Sequence, residues 1–207
     1  MRWIVFDYGE VISGPQRRLP ELAGLAGVPA EEFATAYWAA RDAYDRGGSD
    51  LEFWRAVVPG VAEELAAELT EVDIGGWLTF DPATLELIAE LDAAGVPLAL
   101  LSNAPSSFGR RVEGLPWARH FRHLVFSGDL KTAKPDPEIW TALVTRLGAQ
   151  PGDCVFLDDR PVNVEGATRA GLIGVRWDGS VHAREELVRL AVLSGSATPP
   201  AVPPARP

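Results

Sequence analysis

Short, continuous apolar runs alternate along this chain with stretches in which apolar residues recur every three or four positions. Residues 2–7 (Arg-Trp-Ile-Val-Phe-Asp) form the first run, which closes on an acid. Further runs at 96–101, 124–126, 154–157 and 173–175 have the length and apolar density of buried strands. The stretches between them read as helices. One is predicted from Asp81-Pro82, an N-cap followed by proline at the first helical position. It carries Leu85, Ile88, Ala89 and Leu91 on one face and stops near Gly95. Helices over 137–147 and 162–170 end on Gly148 and Gly171, the residue type that tolerates the left-handed turn closing a helix. Strand–helix alternation of this kind predicts an α/β fold, a doubly wound parallel sheet with helices on both faces.

From about residue 16 to 80 the alternation stops. Only helical spacing is found there, at roughly 29–45, 50–58 and 61–73, with Phe33, Tyr37, Trp38, Tyr44, Phe53 and Trp54 among the apolar positions. This predicts a helical cap inserted after the first strand and covering the mouth of the sheet. Most of its aromatics should form its own core, with one or two left to line a pocket. The expected division is a core domain of residues 1–15 and 81–193, a cap of 16–80, and a disordered tail of 194–207, where Pro, Ala and Ser dominate.

Composition adds exclusions. The 207 residues carry a formal charge of −10, and no basic stripe suggests nucleic acid as a partner. No apolar run reaches the ~20 residues needed to span a bilayer, and the first residues lack a signal-peptide pattern, so a cytoplasmic protein away from membranes is expected. The single cysteine, Cys154, lies in an apolar run and reads as a small buried hydrophobe. His120, His123 and His182 have no metal-ligand spacing, and Glu63, Glu64 and Glu68 read as a solvated helix face.

Candidate chemistry gathers at strand ends. Asp7 follows the first strand, Ser102-Asn103 the second, and Asp158-Asp159 the fourth, with Asn163 a short step beyond; Lys134 precedes Pro135-Asp136-Pro137 and a helix. In open α/β sheets this carboxyl edge is where ligands bind. Three acids brought to one edge repel one another unless a cation joins them, and hard oxygen donors suit Mg²⁺ completed by waters and a phosphate. A carboxylate also serves as a nucleophile toward phosphorus. Lys134 supplies fixed positive charge, and Ser102 and Asn103 supply neutral donors. A net-negative chain needs such local positive charge to admit an anionic phosphate.

The strings FDYGEV, LLSN, KPDPEIW and FLDDRPVN, in this order, resemble the four motifs of the haloacid dehalogenase-like (HAD) superfamily. The helical insertion is similar to its first type of cap. The trio Asp158, Asp159 and Asn163, with the cap stretch from Tyr44 to Trp54, resembles the group containing sugar-1-phosphate phosphatases and the phosphatase domain of soluble epoxide hydrolases. The resemblance implies a Mg²⁺-dependent phosphatase for a small phosphorylated metabolite. In it Asp7 is nucleophile and metal ligand, the Gly9 carbonyl and Asp159 are further ligands, and Asp158 and Lys134 support catalysis. Ser102, Asn103 and Lys134 hold the phosphate, and Asn163 orients the acid pair. Arg17, Arg18, Arg41, Arg46 and Trp54 are candidates to touch the leaving group.

One position departs from the pattern. Most phosphatases of the superfamily carry a second Asp two residues after the nucleophile, where this chain has Gly9. Glu10 comes one residue later, and an extended backbone would point it elsewhere. Loss of that general acid/base predicts a preference for leaving groups stable as anions and a long-lived aspartyl-phosphate. Two alternatives stay open: a 2-haloacid dehalogenase, whose relatives act without metal and lack the acid pair, and a non-catalytic binding protein that kept the fold.

Overall fold

Five short strands lie side by side in the computed structural model, which describes residues 2–193; the tail expected over 194–207 falls outside the described residues. The strands are β1 (Trp3–Phe6), β2 (Leu98–Ser102), β3 (His123–Phe126), β4 (Cys154–Asp158) and β5 (Ile173–Arg176). They run in the order β3-β2-β1-β4-β5, and every neighbouring pair is parallel. The first strand is therefore central. β2 begins at Leu98, two residues later than the apolar run suggested. Pro97 has no N–H to give the ladder, and its carbonyl only receives the N–H of Ile4, at 3.0 Å.

Side-chain alternation divides the interior into two layers. Ile4, Phe6, Leu98, Leu100, Val155 and Leu157 face one side. There they meet Leu87, Ile88 and Leu91 of α5 (Pro82–Ala93) and Ala183 and Leu187 of α10 (Gly179–Arg189). Val5, Ala99, Leu101 and Phe156 face the other side, against α8 (Pro137–Leu147) and Ala167 of α9 (Pro161–Arg169). Burial on both faces is why these strands read as unbroken apolar runs. Cys154 sits in the second layer, as expected. The buried stripe of α5 is Thr84, Leu87, Ile88 and Leu91, with Leu85 and Ala89 at its margin. Its start follows the sequence reading, the Asp81 side chain accepting from the N–H groups of Ala83 and Thr84.

Between β1 and β2 the chain first builds α1 (Leu19–Ala26), α2 (Ala30–Asp45), α3 (Asp50–Val57) and α4 (Glu63–Trp77). These helices share a core of their own, including Leu22, Phe33, Tyr37, Tyr44, Phe53, Trp54 and Leu69. The α1 helix escaped the sequence reading. It has eight residues, a proline in its first turn and no side-chain cap, so it carries few of the signals that mark a helix end. By contrast, α3 opens with a full capping box between Ser49 and Glu52. The strands leaving and re-entering the sheet pair with each other: Gly14 N–H donates to Thr79 O at 2.9 Å and Asp81 N–H to Ile12 O at 3.0 Å. The insertion thus starts and ends at one place, beside the end of β1. Two more helices, α6 (Ser106–Glu113) and the single-turn α7 (Ser127–Leu130), follow β2 and β3. Among the described residues no helix is long and apolar enough to cross a membrane.

Candidate active site

The parallel sheet brings the ends of β1, β2 and β4 together, and the acids and the lysine converge there. Asp7 follows β1, with its N–H bonded to Leu157 O at 2.9 Å. Asp158 closes β4 and is wholly buried. The Lys134 ammonium stands between them, donating to Asp7 Oδ1 at 2.5 Å, Asp158 Oδ2 at 2.8 Å and Leu101 O at 3.0 Å. Asp159 is half-buried, and carboxylate oxygens of Asp7, Asp158 and Asp159 all lie within 4.8 Å of one another.

Two amides hold this arrangement. Asn103 and Lys134 exchange bonds: the Asn103 Nδ2 donates to Lys134 O at 2.9 Å, and the Lys134 N–H donates to Asn103 Oδ1 at 2.8 Å. The Asn103 side chain is therefore engaged in fixing the lysine's backbone. Asn163 Nδ2 reaches both oxygens of Asp158, at 3.1 and 3.0 Å, and the Arg160 N–H donates to Asp158 Oδ1 at 2.8 Å. Asn163 thus touches Asp158 directly. Its own Oδ1 is buried without a protein partner, which leaves an acceptor for a donor inside the site.

Electrostatics follow from burial. Desolvation raises the Asp7 carboxyl from its ordinary 3.8 to about 8; Lys134 pulls it down and Asp158 pushes it further up. Asp159 is raised too, by burial and then by Asp158 and Glu10. Burial works against the Lys134 ammonium, but Asp7 and Asp158 outweigh it and its pKa rises. One ammonium thus faces three carboxylates, an excess of negative charge that a second cation among them would offset. The donor set is all oxygen, and an unpartnered buried acceptor lies alongside, so these residues fit a hydrated Mg²⁺.

A cavity of about 600 Å³ opens above the acids, and Ser102, Asn103, Lys134, Asp159, Arg160 and Val162 border it from the core. Its cap wall comes from α2 and α4: Trp38, Arg41, Asp42, Asp45, Arg46 and Trp77. Of the leaving-group candidates, Arg41 and Arg46 reach it and three do not. Trp54 is fully buried in the cap core, its Nε1 bonded to Thr70 Oγ1 at 2.7 Å, so it cannot touch a ligand. Arg17 and Arg18 lie away from the cavity, Arg18 pairing with Glu21 at 3.3 Å. Trp38 was missed as a specific wall residue. It is off the Phe33–Tyr37–Tyr44 stripe of α2 and half-exposed, packed edge-on against Tyr37 with centroids 4.9 Å apart. Glu10 corrects another expectation. Its backbone is left-handed, with φ 55°, and not extended, so the side chain stays at the cavity's border. Gly9 faces the cap: a Cβ there would meet Trp77 Cζ3 at 4.0 Å.

Comparison with known proteins agrees with this geometry. The family description "haloacid dehalogenase-like hydrolase" matches residues 4–171. Protein CbbY of Cupriavidus necator is 28% identical over 159 residues, 75% of this chain but 59% of that protein, so the match spans less than two thirds of its length. Hexitol phosphatase A of Escherichia coli is 28% identical over 161 residues, 70% of this chain and 73% of that one. A HAD family enzyme from Bacteroides thetaiotaomicron, solved in complex with magnesium and inorganic phosphate, superimposes with a TM-score of 0.67 at 19% identity, covering 86% of this chain and 98% of that one.

Proposed function

The chain belongs to the haloacid dehalogenase-like hydrolases, and on that premise we propose that it hydrolyses the phosphate monoester of a small metabolite, with Asp7 as nucleophile. The observation carrying this reading is the Lys134 ammonium bonded to Asp7 and Asp158, with Asp159 beside them. Asp7, Asp159 and the Gly9 carbonyl would hold Mg²⁺, which supplies charge neutralisation to the incoming phosphoryl oxygens. Lys134 keeps one Asp7 oxygen aimed and offsets phosphoryl charge, while Ser102 and the Asn103 backbone border the phosphoryl end. An Asp7 oxygen bonds to phosphorus as the ester P–O bond breaks, and the leaving oxygen departs with the bonding electron pair and takes its proton from solvent. Water then attacks phosphorus, freeing inorganic phosphate and restoring the carboxylate.

Position 9 shapes the first step. It offers no acid, and a Cβ there would meet the ring of Trp77 at an ordinary contact distance of 4.0 Å. The leaving oxygen therefore departs with little help, which favours esters of the more acidic hydroxyls and slow turnover of alkyl phosphates. The subgroup reading is supported by the placement of Asp158, Asp159 and Asn163. The cap stretch that shares in it is packing: Tyr44 stacks on Phe53 at 4.1 Å, and its hydroxyl donates to Asp50 at 2.6 Å. That likeness speaks to how the cap is built more than to what it binds.

Phosphate release from a panel of phosphorylated metabolites, run with Asp7→Asn and with EDTA as controls, tests the proposal. Both controls should reduce release to background. Release that survives either one overturns the mechanism, and dehalogenation of 2-haloacids in EDTA would favour the rival hydrolase.

A further inference from the structure

Beyond the phosphoryl end, the cavity has walls suited to one kind of leaving group. Among the described residues only four large hydrophobic side chains are exposed: Leu25, Trp38, Val162 and Val181. Two of them border this cavity. Trp38, 50% exposed, comes from α2 of the cap, and Val162, 41% exposed, from the first turn of α9 in the core. Trp77 adds a second indole beside Trp38, with ring centroids 6.4 Å apart and planes at 85°, and Phe108 contributes from α6. The exposed face of Trp38 is grouped with Trp77, Phe108 and Val162 around a chamber far larger than a phosphoryl group.

The charges on the same wall are already matched. Arg41 donates to Asp45 at 2.9 Å and to the Tyr37 hydroxyl at 2.8 Å, and pairs with Asp73 at 3.5 Å. Arg46 bonds Asp42 at 3.0 Å and also pairs with Asp136. Each guanidinium is thus charge-matched through Nε and Nη1 before any ligand enters. Arg160, exposed at the core side, is the one arginine on the cavity without an ion pair among the described residues, and it adjoins Asp159. Away from the phosphoryl end, then, the chamber offers aromatic faces and carboxylate acceptors.

We infer that this wall is a leaving-group subsite for a neutral ring with one flat apolar face, stacked on Trp38, with the ring's hydroxyl or N–H groups turned to Asp42 and Asp45. The inference rests on the phosphatase reading and narrows it: ring-bearing neutral esters are favoured over acyclic ones, and esters with a second anionic group are disfavoured. A sugar ring and a heteroaromatic ring share this chemistry, and the experiment separates them.

The test compares kcat and KM for glucose 6-phosphate, a nucleoside 5′-monophosphate, glycerol 3-phosphate and phosphoglycolate, in wild type, Trp38→Ala and Trp38→Phe. Wild type should prefer one of the ring esters. Trp38→Ala should lower the ring-to-glycerol ratio of kcat/KM about fivefold to tenfold, mainly through KM, and Trp38→Phe should recover most of it. Whichever ring ester shows the effect identifies the source. An unchanged ratio in Trp38→Ala overturns the inference, as does phosphoglycolate as the best ester with activity lost in Arg160→Ala. If no ester turns over, the phosphatase reading fails on its own. The subsite is then decided by calorimetric binding of the same four compounds to Asp7→Asn, where equal affinity for all four overturns it.

Discussion

Removing the divalent cation should make the protein's stability fall as pH rises from 4 to 8. The cause is Asp7, whose carboxyl is raised by burial from 3.8 to about 8. Between those values the folded chain holds a proton that the unfolded chain has released. Stability then falls with rising pH, because the unfolded state binds fewer protons. Carried across the whole interval, a displacement of that size is worth on the order of 5 kcal/mol. Asp159 is displaced in the same direction and adds to the slope. Lys134 does not alter it, since its pKa is raised above an already high value and its charge is constant over this range. Asp45 in the cap is raised to about 6 by burial, with Arg41 opposing, and contributes below pH 6 whether or not a cation is bound.

Urea denaturation followed at unit intervals of pH, with EDTA and with Mg²⁺, separates these contributions. At a Mg²⁺ concentration 100 times its dissociation constant, binding adds about 2.7 kcal/mol, and the gap between the two curves should widen toward pH 8 as Asp7 becomes free to ionise around the cation. Asp7→Asn should flatten the EDTA curve between pH 6 and 8. A cation-free protein whose stability is level or rising over that range, or an Asp7→Asn variant that keeps the slope, would refute the account.

Two further outcomes follow from the same atoms. Lys134→Met leaves Asp7 and Asp158 buried without their shared ammonium, and losing one partner of such a pair costs about 3–5 kcal/mol. The melting temperature should drop by roughly 6–20 °C with partial recovery in Mg²⁺, and a loss below 2 °C (a cost under about 1 kcal/mol) would contradict the placement of the lysine. Gly9→Asp should fold normally, because a Cβ there meets only Trp77 at 4.0 Å and the position has no positive φ. Supplying the missing acid should raise turnover of alkyl phosphates more than that of 4-nitrophenyl phosphate, up to the ~10²–10⁴-fold of general acid catalysis, and an equal change for both esters would show that position 9 does not govern the leaving group.

The acids, Lys134 and both amides could be read from sequence because each ends an apolar run or opens a helix, so that one-dimensional position already implied the sheet's carboxyl edge. The cap wall was harder to read, and periodicity shows why. In α2, Phe33, Tyr37 and Tyr44 recur at intervals of four and seven and are buried; Trp38 is a single residue, about 100° around the helix, from Tyr37, and so faces out. In α3, by contrast, the neighbours Phe53 and Trp54 are both buried with Val57, so adjacency alone does not decide which side chain turns out, and Trp54 is lost to the cavity. What no spacing reveals is partner choice. That Arg41, besides its i,i+4 partner Asp45, reaches Asp73, and that Asn103 is committed to the Lys134 backbone, depends on contacts between segments remote in sequence.

Asp7 and the cap wall are not independent parts. The turn after β1 is tied by the Tyr8 carbonyl, which accepts from the N–H groups of Val11, Ile12 and Ser13. The Tyr8 side chain, one residue from Asp7, donates its hydroxyl to Trp77 O at 2.7 Å. Its ring packs edge-on to Phe108, with centroids 4.9 Å apart. The last residue of α4 is thereby fixed to the residue that follows the strand carrying Asp7. Because the insertion begins and ends at this turn, the end of α4 and the loop that carries Asp7 share one hydrogen-bonded contact. Position 9 lies between the two, facing Trp77. A Cβ there would rest in ordinary van der Waals contact with that ring, at 4.0 Å. Gly9 and Trp77 are thus neighbours across one turn, so an acid introduced at position 9 would share the cavity's border with an indole of the cap wall.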